Sequence, residues 1–188
     1  MGLSAMDRPN RTTIPPVTSS TRIKIISIGD PAVGKSCLIK RYCEQRFVSK
    51  YVATIGVDYG VKPIKVRGKE VKVNFWDLAG GEEYAEIRNE FYKDAQGGIV
   101  VYDINSRKSF EALDYWLKEA AEHGAKETAY VVVGNKTDVG RRVVKEEEGR
   151  AFAKQHGMPY FEATAKDGEN VQEMFHELFA IVVERLKL

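Results

Sequence analysis

The stretch GDPAVGKS, residues 29–36, has the form G-x-x-x-x-G-K-S. It lies between a hydrophobic run, RIKIISIG, and a helical pattern with Leu38, Ile39 and Tyr42 on one face. That strand-loop-helix setting is the one in which this spacing builds a phosphate cradle. Gly29 and Gly34 free the backbone to turn its amides inward along Asp30, Pro31, Ala32 and Val33. Lys35 supplies a compact positive charge to the outer phosphates, and Ser36 offers a hydroxyl to magnesium. The helix start, running on into Cys37, adds its own partial positive charge. Adenine and guanine nucleotides share such a cradle, so the base must be read elsewhere.

The run VVVGNKTD ends a buried strand with Asn135, Lys136, Thr137 and Asp138. A carboxylate at Asp138 can accept two parallel hydrogen bonds from the N1–H and 2-amino group of guanine. Adenine has an unprotonated N1 and no 2-amino group, and would leave the carboxylate facing an acceptor. The pattern therefore selects guanine; an ATP-using enzyme survives only if N-K-T-D is accidental.

A third segment, FEATAKD at 161–167, completes a set that resembles the Ras-superfamily small GTPases, whose guanine loop reads S/T-A-K, over about residues 22–186. Within that superfamily ATIGVDYG and WDLAGGE resemble the Rab pattern. IKRYCEQRFVSKYVATIGVDYGV with RNEFYKDAQG is similar to the RJL group, Rab-like GTPases with a C-terminal J domain, although these 188 residues show no J-domain pattern. The resemblance implies GTP/GDP and Mg2+ as cofactors, and effector proteins as partners in the GTP state, in signalling or intracellular trafficking. It also implies residue roles. Phe47 stacks edge-on against guanine, Thr54 brings switch I to magnesium and the terminal phosphate, and Asp77 holds magnesium through water. Gly80 offers its amide to the γ-phosphate. Thr164, Ala165 and Lys166 finish the base pocket beside Asn135, Lys136 and Asp138. Tyr59, Trp76 and Phe91 form an aromatic effector patch between the switches; the alternative for Trp76 and Phe91 is plain core packing.

The resemblance places the water-orienting glutamine of such enzymes at Gly81. Glycine has no side chain to orient anything. Pro31 and Ala32 also stand where many small GTPases have glycines, and the Pro31 ring is expected to crowd an incoming arginine finger. Glu82 or Glu83 as a substitute would bring negative charge towards a triphosphate, so both are expected in the first turn of a switch II helix, favouring its N-terminus. The catalytic inventory is thus Lys35 and a vacancy at Gly81. The expectation is a nucleotide-gated binding module with slow hydrolysis. The alternative is a competent hydrolase whose water is held by a partner residue or by backbone.

The elements that position these residues follow from hydrophobic periodicity. Apolar runs of strand length fall at 22–28, 57–66, 70–76, 97–102, 129–134 and 159–162, with amphipathic helical stretches between most of them. Val171, Met174, Phe175, Leu178, Phe179 and Val182 make one stripe, and Phe110, Leu113, Trp116, Leu117 and Ala120 another. The second and third runs are joined only by RGK, which predicts an antiparallel hairpin. The whole is an α/β, doubly wound, mostly parallel six-stranded sheet with one antiparallel edge strand, the G domain of a P-loop small GTPase, over 21–188.

Residues 1–20, rich in Pro, Ser, Thr and Arg, read as a disordered leader. Met6 stands where an N-myristoylation signal wants Ser or Thr, and VERLKL lacks a terminal cysteine, so no membrane anchor is expected. No apolar run approaches the roughly 20 residues of a membrane span. Twenty-nine basic and twenty-seven acidic residues give a net charge of +2 and no electrostatic case for nucleic acid. With 43% hydrophobic and 30% charged residues the chain reads as soluble and globular, and with neither a span nor a signal-peptide core it is expected to be cytoplasmic; a monomer is expected. Cys37 and Cys43 read as core thiols, His123, His156 and His176 as surface or capping residues, and Arg141 and Arg142 as solvent-facing.

Overall fold

Strands buried on both faces must be apolar at nearly every position, and β4 (Gly97–Asp103) and β5 (Ala129–Asn135) are: all but Asp103 are buried. In the computed structural model, which describes residues 21–188, they form the centre of a six-stranded sheet. The expected leader over 1–20 lies outside the described residues. The other strands are β1 (Thr21–Ile28), β2 (Val57–Val66), β3 (Lys69–Leu78) and β6 (Tyr160–Ala163), in the order β2-β3-β1-β4-β5-β6. Only β2 runs antiparallel, against β3. Arg67 and Gly68 join those two with φ of 47° and 83°; positive φ at both central residues is the turn that matches strand twist.

Helices α1 (Lys35–Glu44) and α6 (Val171–Arg185) cover one face of the sheet, and α4 (Leu113–Ala120) and α5 (Glu146–Gln155) the other. Between them lie α2 (Ala85–Asn89) and α3 (Arg107–Glu111). The whole Val171-to-Val182 stripe is buried, and Phe175 meets Tyr42 at 4.7 Å and Phe75 at 5.6 Å between ring centroids. The chain leaves β1 in both lateral directions, so the crevice above β1 is where the strand order reverses.

Three expectations need correction. Strand β3 runs on to Leu78, two residues beyond the expected 70–76, because its ladder with β1 continues as far as Ser27 opposite Asp77. Glu82 and Glu83 lie in a separate 3₁₀ turn, Glu82–Tyr84, ahead of α2. Arg142 does not face solvent freely, since its fork grips the Glu162 carboxylate at 2.7 and 2.6 Å and ties the loop after β5 to β6. Cys37 and Cys43 are half-buried, unpaired thiols packed on the α1–α6 core, and burial pushes Cys43 up to about 11. Among the described residues no helix is long and apolar enough to cross a membrane.

Phe175→Ala would delete a ring that touches Tyr42, Phe75 and Phe179. Urea unfolding followed by circular dichroism is expected to show a loss of about 3–5 kcal/mol with an unchanged slope.

Candidate functional site

Above the carboxyl ends of β1, β3 and β5 lies a cleft of about 1040 Å³. Its floor is the loop between β1 and α1. Gly34, at φ 98°, caps α1, and a Cβ there would run into the Asn135 amide, so this corner accepts only glycine. Ala32 takes φ 62° without being glycine, a left-handed conformation that costs about 1 kcal/mol. Lys35 is buried, its Nζ donating to the carbonyls of Gly29 at 2.7 Å and Asp30 at 2.9 Å. Burial, only partly offset by Asp77 and Asp30, brings its ammonium down to about 8.

Beside Lys35 stands an oxygen cluster. Asp77 is buried; its Oδ1 accepts from Ser27 Oγ at 2.6 Å, and its Oδ2 accepts from Ser36 Oγ and from Thr54 Oγ1 at 3.3 Å. The hydroxyls of Ser36 and Thr54 are 2.9 Å apart. The three residues expected to hold magnesium thus converge from α1, the 47–54 segment and β3. Their donor set is all oxygen with one carboxylate, the chemistry a hard divalent cation takes.

The 80–84 segment forms the adjoining wall. A Cβ on Gly80 would stand 2.5 Å from the Pro31 nitrogen and 2.6 Å from the Asp30 carbonyl carbon, so only glycine lets this segment meet the floor. Gly81 is extended (φ −73°, ψ 143°) and faces the cleft. Behind the wall Arg88, 1% exposed, donates Nη1 to the carbonyls of Ala79 and Gly81, both at 2.8 Å, and grips Glu119 at 2.7 and 3.0 Å. Burial alone would raise the Glu119 carboxyl; hydrogen bonds from Arg88, Tyr115 and Tyr92 outweigh it and hold the group below the usual range. The Arg88 guanidinium also lies 4.7 Å from the Trp116 ring, whose Nε1 donates to Asp30 Oδ1 at 2.8 Å.

At the far end Asn135 Nδ2 donates to the Val33 carbonyl at 2.8 Å, binding this end to the floor. Lys136, at φ 67°, pairs with Asp103 at 2.8 Å. Thr164 Oγ1 donates to Asp138 Oδ1 at 2.6 Å. Asp138 Oδ2 and Asn135 Oδ1 are buried with no hydrogen-bond partner among the described residues; the Lys166 ammonium stands 3.6 Å from the former. Arg41 holds the opposite wall through the carbonyls of Ala165, at 2.7 Å, and Lys166.

Most expected site residues line the cleft: Asp30, Pro31, Ala32, Gly34, Lys35, Ser36, Cys37, Phe47, Thr54, Gly80, Gly81, Asn135, Lys136, Asp138, Ala165 and Lys166. Gly29, Val33, Asp77 and Thr164 stand behind its surface and hold those in front. Tyr59, Trp76 and Phe91 lie off the cleft as a row of tilted rings, with centroids 4.5 and 5.0 Å apart. Tyr59 is exposed, while Trp76 and Phe91 are half-buried against the core. Arg88, Glu119 and Arg41 escape a reading by pattern. Each is a charged residue of a helix, and only the tertiary fold reveals the buried carbonyls and carboxylate that it meets.

The family model described as "Ras family" matches residues 24–184. The chain belongs to the Ras family. It is 52% identical over 171 residues to DnaJ homolog subfamily C member 27 of Homo sapiens and 51% identical to that of Danio rerio, covering 88% of this chain and 63% of each relative. DnaJ homolog subfamily C member 27-B of Xenopus laevis is 46% identical over 172 residues. The chain spans less than two thirds of the length of these relatives, and their names agree with its resemblance to J-domain-bearing Rab-like GTPases.

Lys35 gives the cleft a pH dependence. Below about pH 8 its ammonium is charged; above it the free protein loses a proton that the binding of a polyphosphate would restore. Titration with fluorescent GDP is expected to show affinity falling by up to about tenfold per pH unit above 8. Calorimetry in buffers of different ionisation enthalpy is expected to register proton uptake.

Proposed function

We propose that this chain is a Rab-like guanine-nucleotide switch whose GTP-bound state is long-lived, acting as a cytosolic monomer through effector proteins that recognise that state. The observation that carries the reading is Gly81: it faces the cleft beside Gly80 and presents nothing to orient water. In this reading Lys35 and the amides of the floor bind the phosphates. Ser36, Thr54 and Asp77 hold magnesium, whose charge when bound neutralises the β- and γ-phosphates. The Gly80 amide senses the γ-phosphate, and Thr54 draws the 47–54 segment onto the same group. Tyr59 and its neighbouring rings then lie beside an ordered segment and form the effector face. Two unpaired thiols fit a reducing compartment.

Asn135 and Asp138 support guanine as the base, since both keep a buried oxygen without a hydrogen-bond partner among the described residues. A buried acceptor so left is costly unless a donor completes it. Asp138→Asn presents an amide donor where the carboxylate accepted. Competition binding is expected to show GDP affinity falling by at least about a hundredfold, with xanthosine diphosphate becoming the better ligand.

A competent hydrolase is favoured by one feature, the Glu83 carboxylate, which fills the space beside the Gly81 Cα. Its negative charge beside a triphosphate weighs against a catalytic role. Single-turnover hydrolysis on purified protein separates the two readings. Gly81→Gln restores a side chain that orients water and is expected to hydrolyse GTP at least about tenfold faster than wild type; equal rates would remove the basis for a long-lived GTP state.

A further inference from the structure

Arg88 is the one arginine whose guanidinium is fully enclosed among the described residues, and what it touches is backbone on either side of Gly80. A trans peptide sets its C=O and N–H antiparallel in one plane. Fixing the Ala79 carbonyl therefore fixes the direction of the Gly80 N–H, and fixing the Gly81 carbonyl fixes that of the Glu82 N–H. One nitrogen, Nη1, makes both contacts at 2.8 Å. Nε and Nη2 are anchored on Glu119, itself held by Tyr92 and Tyr115 at 2.6 Å each. The anchor is rigid because a planar fork on a carboxylate has little freedom to swing. Its position against the floor is set independently, by the Trp116 ring under the guanidinium and by the bond from Trp116 to Asp30.

We infer that Arg88 is a positioning residue for γ-phosphate recognition, aiming the Gly80 amide into the cleft through the two carbonyls that flank it. The inference rests on the reading of Gly80 as the γ-phosphate sensor. It goes beyond that reading in making the aim of the amide independent of any side chain at position 81. A glycine pair would otherwise leave this backbone free to rotate. With Arg88 in place the amide is pre-organised, so less ordering entropy is lost when a γ-phosphate meets it.

The test is the ratio of dissociation constants for GDP and for a nonhydrolysable GTP analogue, because only the analogue carries the group that Gly80 would meet. Arg88→Met combined with Glu119→Gln removes the donors without leaving a buried carboxylate unpaired, and keeps an acceptor for the two tyrosines. The preference for the analogue is expected to fall about tenfold relative to wild type, with GDP affinity changed far less. Arg88→Lys retains the charge opposite Glu119, but its compact ammonium cannot span carboxylate and carbonyls together; an intermediate fall is expected. A ratio unchanged in the folded double variant would show that Arg88 only holds the core together. If the double variant does not fold, an unchanged ratio in Arg88→Lys overturns the proposal on its own. Wild type showing no affinity for either nucleotide would instead remove the proposed function, an outcome separate from any difference between variants.

Discussion

The Asp77 carboxylate, buried beside the equally buried Lys35 ammonium, is the constraint around which the site is arranged. A buried carboxylate needs donors, and Asp77 takes them from β1, α1 and the 47–54 segment. It also supports the charge on Lys35, which burial would otherwise deplete further. The β1–β3 register puts Asp77 directly opposite Ser27, so the sheet itself sets where this charge lies. Displacing it by one residue would turn the carboxylate to the other face and leave Ser36 and Thr54 with no common partner.

The second anchor is also buried and charged, but works on backbone. Arg88 and Glu119 lie behind the 80–84 wall as the Lys35–Asp77 pair lies against the loop that forms the floor. The two centres meet through Trp116 and Asp30. Taking a guanidinium out of water is costly, and the pair is retained where every donor finds an acceptor. Here the acceptors include the main-chain carbonyls of Ala79 and Gly81, the second of which also accepts from the Tyr84 N–H at 3.2 Å. The price of burial is met by ordering the segment that faces the cleft.

Much of this was legible before any coordinates. Strand positions came from continuous apolar runs, because central parallel strands cannot hide a polar face, and the hairpin came from a connection too short for a helix. The P-loop and the N-K-T-D segment were readable because their chemistry depends on neighbours in sequence. The end of β3 is less legible: the hydrophobic run stops at residue 76, and only the ladder with β1 carries the strand through Asp77. Arg88 and Arg142 were opaque for a related reason. A charged side chain reads as solvent-facing unless its partner is known, and Glu119 and Glu162 lie 31 and 20 residues away.

The two glycines of the switch II wall are not equivalent, and the difference bears on the proposed long-lived GTP state. Gly80 is required by contact, since any Cβ would collide with the backbone of Asp30 and Pro31. Gly81 is under no such demand. Its φ and ψ are those of ordinary extended chain, open to any residue, and the nearest obstacle to a Cβ is the movable end of the exposed Glu83 side chain. The carbonyl of residue 81 would remain on Arg88 whatever the side chain. Neither backbone geometry nor packing explains the glycine. What it changes is the chemistry at the wall of the cleft: on the proposed reading, it leaves no polar side chain beside Gly80 while Gly80 itself stays in place.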